Sequence, residues 1–208
     1  MVEEQLAKRD ISDSRVLAAF GAVPREAFVA ESLSSSAYSD APLPIGEGQT
    51  ISQPYIVALT LQALGLRGSE RVLEVGTGSG YAAAILSHLA AEVHSIERIE
   101  SLAAGATERL ARLGYANVRV HCADGTLGWP EWAPYDAIAV AASGPEVPAA
   151  LLTQLAPNGR LVIPVGRDPS VQTLLRVRRA GNTFQREELT PVRFVPLVGA
   201  QGWPSTQR

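Results

Sequence analysis

Glu74 and the glycines Gly76, Gly78 and Gly80 share one stretch, Val72-Leu73-Glu74-Val75-Gly76-Thr77-Gly78-Ser79-Gly80-Tyr81. Glycines in alternation let the chain take φ > 0 and let a ligand lie against bare backbone. Glu74 puts a carboxylate beside that backbone, unwelcome near phosphates and useful near a cation. A dinucleotide loop needs G-x-G-x-x-G, since its pyrophosphate sits on the helix N-terminus. In this stretch the third glycine comes one residue early and Tyr81 takes the sixth place. The chemistry that fits is binding of a positively charged ligand without phosphate.

S-adenosylmethionine meets both conditions, with a sulfonium, an ammonium and no phosphate. The pattern E-x-G-x-G-x-G resembles the cofactor loop of class I methyltransferases, the plain alternative being a glycine-rich turn without a ligand. Three later points supply what such a cofactor needs. Glu97 follows an apolar run and can accept hydrogen bonds from both ribose hydroxyls. Asp124-Gly125 follows another and can read an adenine amino edge, although an Asp-Gly pair by itself is a plain turn. Ala141-Ala142-Ser143-Gly144-Pro145 follows a third, its small residues opening toward where a methyl group would point.

The elements that must position these residues alternate along the chain. Arg71 to Val75 is a strand, Tyr81 to Leu89 a helix, and Glu92 to Ile96 a second strand ending at Glu97. A helix from Ile99 to Leu113 carries Leu102, Ala106, Leu110 and Leu113 on one face and closes at Gly114. Asn117 to His121 is the third strand. Tyr135 to Ala141, nearly all apolar, is the fourth and is buried on both faces. Pro148 to Leu155 is a helix, Pro157-Asn158-Gly159 a turn, and Arg160 to Val165 the fifth strand. Gln172 to Arg179 and Pro191 to Leu197 complete an open, doubly wound α/β sheet of about seven strands. The arginines Arg176, Arg178 and Arg179 read as the solvated face of an edge strand.

Ahead of the sheet, residues 1–66 carry N-terminal helices and an unusual loop. Apolar positions from Val2 to Phe20 recur at helical spacing, broken at Ser12-Asp13, and Pro24 starts a further short helix. Ser32 to Ser39 is serine-rich loop. Ala41 to Tyr55 holds too many prolines and glycines for regular helix or central strand, yet Leu43, Ile45 and Ile51 make it more than a linker. An ordered loop of this length usually has a function. Pro54 opens a helix that Gly65 closes, so Ser52 and Gln53 stand where caps belong.

The remaining inventory excludes other chemistries. His88, His94 and His121 lie apart in sequence with no metal-ligand spacing, so no metal is expected. Gly-x-Ser-x-Gly is absent, and Cys122 is the only cysteine, which excludes an internal disulfide and fits a reducing compartment. A net charge of −3 on 208 residues gives no reason to expect nucleic acid or a membrane surface. No apolar run approaches the ~20 residues of a membrane span. The expectation is one cytoplasmic domain over residues 1–208, monomeric, with residues 67–208 forming the cofactor-binding sheet.

The chain as a whole resembles the protein-L-isoaspartate (D-aspartate) O-methyltransferases in their bacterial form. The resemblance runs through Val23-Pro24-Arg25-Glu26-Ala27-Phe28, Leu43-Pro44-Ile45-Gly46, Gln49-Thr50-Ile51-Ser52-Gln53-Pro54-Tyr55, Gly159 to Gly166, and Val192-Arg193-Phe194-Val195-Pro196-Leu197. It implies the class I sheet with its last two strands exchanged. It implies methyl transfer from S-adenosylmethionine, leaving S-adenosylhomocysteine, to the free carboxylate of isoaspartyl residues in proteins and peptides. By the same resemblance Ser52 is the active-site serine, with helix capping as its plain alternative. Glu74, Gly76, Thr77, Gly78, Ser79, Gly80, Glu97, Arg98, Asp124 and Gly125 become cofactor contacts. Gly46, Gly48, Gln49, Thr50 and Ile51 become the loop over cofactor and substrate, and Gln201 is a candidate contact from the tail. Asp10, His121-Cys122-Ala123 and Ala142-Ser143-Gly144 depart from the family pattern beside the site. Methylation of a specialised peptide, or cofactor sensing without turnover, are the competing functions.

Overall fold

The computed structural model describes residues 1–168 and 170–205. A small antiparallel hairpin, β1 (Leu43–Gly46) and β2 (Gln49–Ile51), comes first. Seven strands then build the main sheet: β3 (Arg71–Val75), β4 (Glu92–Glu97), β5 (Val118–Cys122), β6 (Tyr135–Val140), β7 (Leu155–Asp168), β8 (Val171–Ala180) and β9 (Thr183–Val192). Their order is β5-β4-β3-β6-β7-β8-β9. β5 through β7 run parallel, whereas β8 is antiparallel to β7 and β9 to β8. The last two strands thus follow in sequence out to the edge, the exchanged order that the resemblance implies. Strand order reverses between β3 and β6, and the crevice beyond their carboxyl ends is where such sheets bind ligands. The glycine loop leaves β3 at that point.

Helices α1 (Ser14–Ala22), α2 (Pro54–Leu64), α3 (Tyr81–Ser87), α4 (Glu100–Arg112) and α5 (Ala149–Thr153) cover the sheet. Asp13 caps α1, accepting from the N–H groups of Arg15 at 2.9 Å and Val16 at 3.4 Å. Pro54 occupies the first turn of α2 and Gly65 ends it in the left-handed region with φ 58°, a conformation cheap only for glycine. One apolar layer joins Phe20, Leu61, Leu64, Ile85 and Val72. The other packs Leu73, Ile138, Leu151, Leu161 and Ile163 on the opposite face. Each such side chain, once buried, contributes about 2 kcal/mol of apolar transfer. β6, apolar throughout its centre, is buried between the two layers.

Several boundaries differ from the sequence reading. β7 begins at Leu155, and Pro157-Asn158-Gly159 forms an irregularity within its pairing to β6, with Asn158 at φ 63°. The last strand is Thr183–Val192 rather than Pro191 to Leu197. Its residues Phe184 to Glu188 are exposed, so an edge strand rich in charge hid its periodicity. β8 is interior, and Arg176 is paired with Glu187 rather than solvated alone. Glu31–Ser36 winds into a short 3-10 segment, and Arg25–Phe28 makes another after Pro24. Part of the loop from Ala41 to Tyr55 is the hairpin itself. Among the described residues no helix is long and apolar enough to cross a membrane.

Candidate active site

A cavity opens at the reversal of strand order, lined by Glu74, Gly76, Thr77, Gly78, Ser79, Glu97, Arg98 and Gly125, with Ala141 at the end of β6. The glycine loop is pinned from beneath. The N–H groups of Gly76 and Thr77 donate to the Ile96 carbonyl at 2.8 and 3.2 Å. Glu97 Oε2 accepts the Gly78 N–H at 2.9 Å, and its Oε1 accepts the Ile99 N–H at 3.0 Å. Each Glu97 oxygen still has a lone pair for a ligand hydroxyl. Gly80 shapes the start of α3 but does not itself line the cavity.

Glu74 is 1% exposed. Its carboxyl is raised to about 8, chiefly by burial, with a hydrogen bond from Ser95 opposing the rise and the nearby Glu97 adding to it. Ser95 donates to Oε2 and is itself linked to Thr77 Oγ1 at 2.5 Å, whereas Glu74 Oε1 has no partner among the described residues. The Ser79 hydroxyl is likewise buried and unpartnered. A buried polar atom without a partner is costly unless a ligand supplies one. An unpaired carboxylate oxygen and hydroxyl beside bare glycine backbone fit a cationic, donor-rich ligand such as S-adenosylmethionine.

Asp124 sits differently from the expectation. Its Oδ1 accepts from the Thr126 N–H at 2.9 Å and the Thr126 hydroxyl at 2.7 Å, and Oδ2 accepts the Ala200 N–H at 2.7 Å. These bonds hold its carboxyl below the usual range against the opposing effect of burial. Asp124 does not line the cavity; Gly125 does, packed so closely that a Cβ there would run into Val75. Gln201 is also outside it, its Oε1 accepting the Ala150 N–H at 3.0 Å.

The hairpin closes over the glycine loop. A Cβ at Gly78 would stand 3.1 Å from Ile45 Cδ1, and the hairpin tip is tied to α4 where Ser101 Oγ donates to Glu47 Oε1 at 2.8 Å. Gly46 and Gly48, at φ 90° and 68°, make the exposed turn and do not line the cavity, while Gln49, Thr50 and Ile51 do. Ser52 lines it too. Its hydroxyl makes no hydrogen bond within the described residues, and it does not cap α2, whose N-cap is Gln53, an amide that donates to Asp40 at 2.7 Å and makes no capping bond. Asp40 serves that helix end instead, accepting the Tyr55 N–H at 3.0 Å.

A second cavity joins the first. Thr50, Ser52, Ile56, Ala141, Phe194 and Val195 line both, and Pro42, Gln53, Pro191, Val192 and Arg193 line the second alone. Residues after β9 are led there by two clamps. Gln172 holds both backbone groups of Phe194, at 2.6 and 3.1 Å. Ser143 accepts the Leu197 N–H and donates its own N–H to Val195, each at 2.8 Å. Sequence reasoning missed the part played by Ile45, Phe194 and Val195 as cavity wall. The prolines Pro191 and Pro196 were the available signal, since neither can donate to a central ladder.

Away from the site, β4 and β5 bring together His94 and His121, which the sequence separates, with His94 Nδ1 3.0 Å from His121 Nε2. Among the described residues no group of acids, histidines and cysteine forms a candidate metal site.

The profile of the family Protein-L-isoaspartate(D-aspartate) O-methyltransferase (PCMT) matches residues 1–202. The chain belongs to this family. It is 61% identical over 204 residues to Protein-L-isoaspartate O-methyltransferase 2 of Pelobacter propionicus, covering 98% of this chain and 91% of that one. A relative of the same name from Marinobacter nauticus is 60% identical over 205 residues, with coverages of 98% and 94%. A solved protein-L-isoaspartate O-methyltransferase superposes with a TM-score of 0.88 at 34% identity, covering 97% of this chain and 67% of that chain. A putative family member from Plasmodium falciparum, solved with S-adenosyl-L-homocysteine, gives a TM-score of 0.80 at 29% identity, with coverages of 93% and 95%. In this chain the glycine loop, Glu97, Ser52 and the segment after β9 meet at one cavity.

Proposed function

We propose that the two cavities form one reaction channel, with the cofactor against the glycine loop, the acceptor in the second cavity, and Ser52 where they meet. The chain is an S-adenosylmethionine-dependent protein-L-isoaspartate O-methyltransferase. It methylates the free carboxylate of L-isoaspartyl and D-aspartyl residues in damaged proteins and peptides, which starts their repair through a succinimide. S-adenosylmethionine supplies a methyl group made electrophilic by its sulfonium.

The protein's part is positioning. An acceptor carboxylate of ordinary pKa, about 3.5, is already ionised at neutral pH and needs no general base. Ser52 donates a hydrogen bond to one carboxylate oxygen and leaves the other free to attack in line. Ile45, Ile56 and Phe194 surround that point with apolar surface and thin out the water that would shield the nucleophile. Glu97 and Arg98 would hold the cofactor's polar edge, Gly125 would offer backbone there, and Glu74 with Ser79 would meet its charged end. The hairpin and α2 close a site that the main sheet builds, so the chain works as one methyltransferase unit. The large apolar side chains exposed among the described residues are scattered at Tyr38, Leu127, Val171 and Phe184, which supports a monomer. The single, exposed Cys122 and the net charge of −3 support a cytoplasmic protein that acts on peptides and not on nucleic acid.

The observation that carries the assignment of Ser52 is its free hydroxyl on the wall common to both cavities. The test presents labelled S-adenosylmethionine and one peptide in isoaspartyl and normal aspartyl forms. Base-labile label should enter only the isoaspartyl form. In Ser52→Ala, kcat should fall by about tenfold or more, the size of one lost hydrogen bond to a charged group, with cofactor affinity retained. Unchanged turnover would remove Ser52 from the chemistry.

A further inference from the structure

Among the described residues, Arg193 is the only charged one on the wall of the second cavity. Its neighbours there are Pro42, Gln53, Pro191 and Val192, none of which bears charge. Its backbone is fixed on both sides: Val192 ends the β9 ladder opposite Gln172, and the Gln172 amide grips Phe194. The side chain is exposed and makes no hydrogen bond or ion pair within the described residues. On β8, Arg176 is engaged by Glu187 and Arg179 by the Leu155 carbonyl, and neither lines this cavity. An unengaged guanidinium held over an otherwise uncharged cavity is a receptor for an anion.

We propose that Arg193 is the specificity-determining residue that draws the acceptor's carboxylate into the second cavity and releases it once it is a neutral ester. The proposal rests on the reading of that cavity as the acceptor site. Before transfer, the acceptor bears a full negative charge and Ser52 offers it only a neutral hydroxyl. Arg193 supplies the opposite charge. After transfer the ester has none, so the attraction that brought the substrate in no longer holds the product. Because the guanidinium lies in a solvent-open cavity, the attraction is screened by salt. It acts on capture and not on the transfer itself, so it belongs to KM rather than kcat.

The test compares the unaltered chain with Arg193→Met and Arg193→Lys. Steady-state kinetics use an isoaspartyl peptide at low and high NaCl. Calorimetric titration of the S-adenosylhomocysteine complex uses that peptide and its isoasparaginyl counterpart, where an uncharged amide replaces the carboxylate. The unaltered chain should bind the carboxylate about tenfold tighter than the amide, with KM rising with salt. Arg193→Met should raise KM about tenfold at low salt, leave kcat within about twofold, remove most of the preference for carboxylate, and abolish the salt dependence. Arg193→Lys should restore most of both, because charge and not packing is the requirement. A preference for carboxylate and a salt dependence that are undiminished in Arg193→Met overturn the role of Arg193 and leave the methyl-transfer site standing. Absence of isoaspartyl methylation by the unaltered chain overturns the acceptor site, and the role of Arg193 with it.

Discussion

Replacing Glu74 by glutamine tests whether cofactor binding takes a proton off the buried carboxyl. In the cofactor-free chain Glu74 is raised from an ordinary 4.5 to about 8, chiefly by burial. At pH 7 a group of that kind is roughly nine-tenths protonated. A cation beside the unpartnered Oε1 favours the ionised form, so binding should release close to one proton. Affinity should then rise about tenfold between pH 7 and pH 9 and level off above. The same shift has a consequence for folding. The folded chain keeps a proton that the unfolded chain loses near pH 4.5, so stability should decline as pH rises from about 5 to about 8. At pH 7 the loss is on the order of 3 kcal/mol. Glu74→Gln, which stays neutral, should remove that decline and flatten the pH dependence of cofactor affinity. Titration calorimetry in buffers of different ionisation enthalpy counts the protons, and urea melts across pH follow stability. S-adenosylhomocysteine, which keeps the ammonium and lacks the sulfonium, shows which cation Glu74 meets. A dissociation constant for S-adenosylmethionine that stays flat from pH 6 to pH 9, with no proton release, would refute the reasoning.

Two further outcomes follow from the same geometry. Glu97→Ala removes the acceptor for the Gly78 and Ile99 N–H groups, so it should weaken cofactor affinity by about tenfold or more while KM for peptide changes little; a titration with unaltered affinity would count against it. Arg25 is wholly buried, donates to the carbonyls of Ala37 at 2.7 Å and Ala41 at 3.3 Å, and lies over the Tyr81 ring at 4.9 Å. Arg25→Met should cost about 3 kcal/mol and speed hydrogen exchange in residues 37–53 before the sheet opens; uniform exchange rates would show that Arg25 does not anchor the hairpin.

The glycine loop was legible because its meaning is local. Backbone approach and a carboxylate at fixed spacing are properties of Glu74 to Gly80 wherever the chain goes. Glu97 was legible for a related reason, since a strand of fixed rise ends where its apolar run ends. Strand β6 announced its burial by composition. Asp124 was half legible: the turn after β5 is where the sequence put it, but whether its carboxylate faces a ligand or the chain depends on Ala200, which lies far along the sequence. Ser52 stood where caps belong, and only the arrival of Asp40 at the Tyr55 N–H released it from that role.

The sequence by itself therefore determined the alternation of strands and helices and the glycine loop at the end of β3. These rest on periodicity, turn chemistry and residue type, all short-range. Tertiary structure decided what sits opposite what. It placed Ile45 above Gly78, joined Ser52 and Arg193 on one cavity wall, and led the segment after β9 out of the ladder to meet Ser143. Such contacts are set by strand order and by side chains such as Gln172 that satisfy a distant backbone, and no local pattern encodes them.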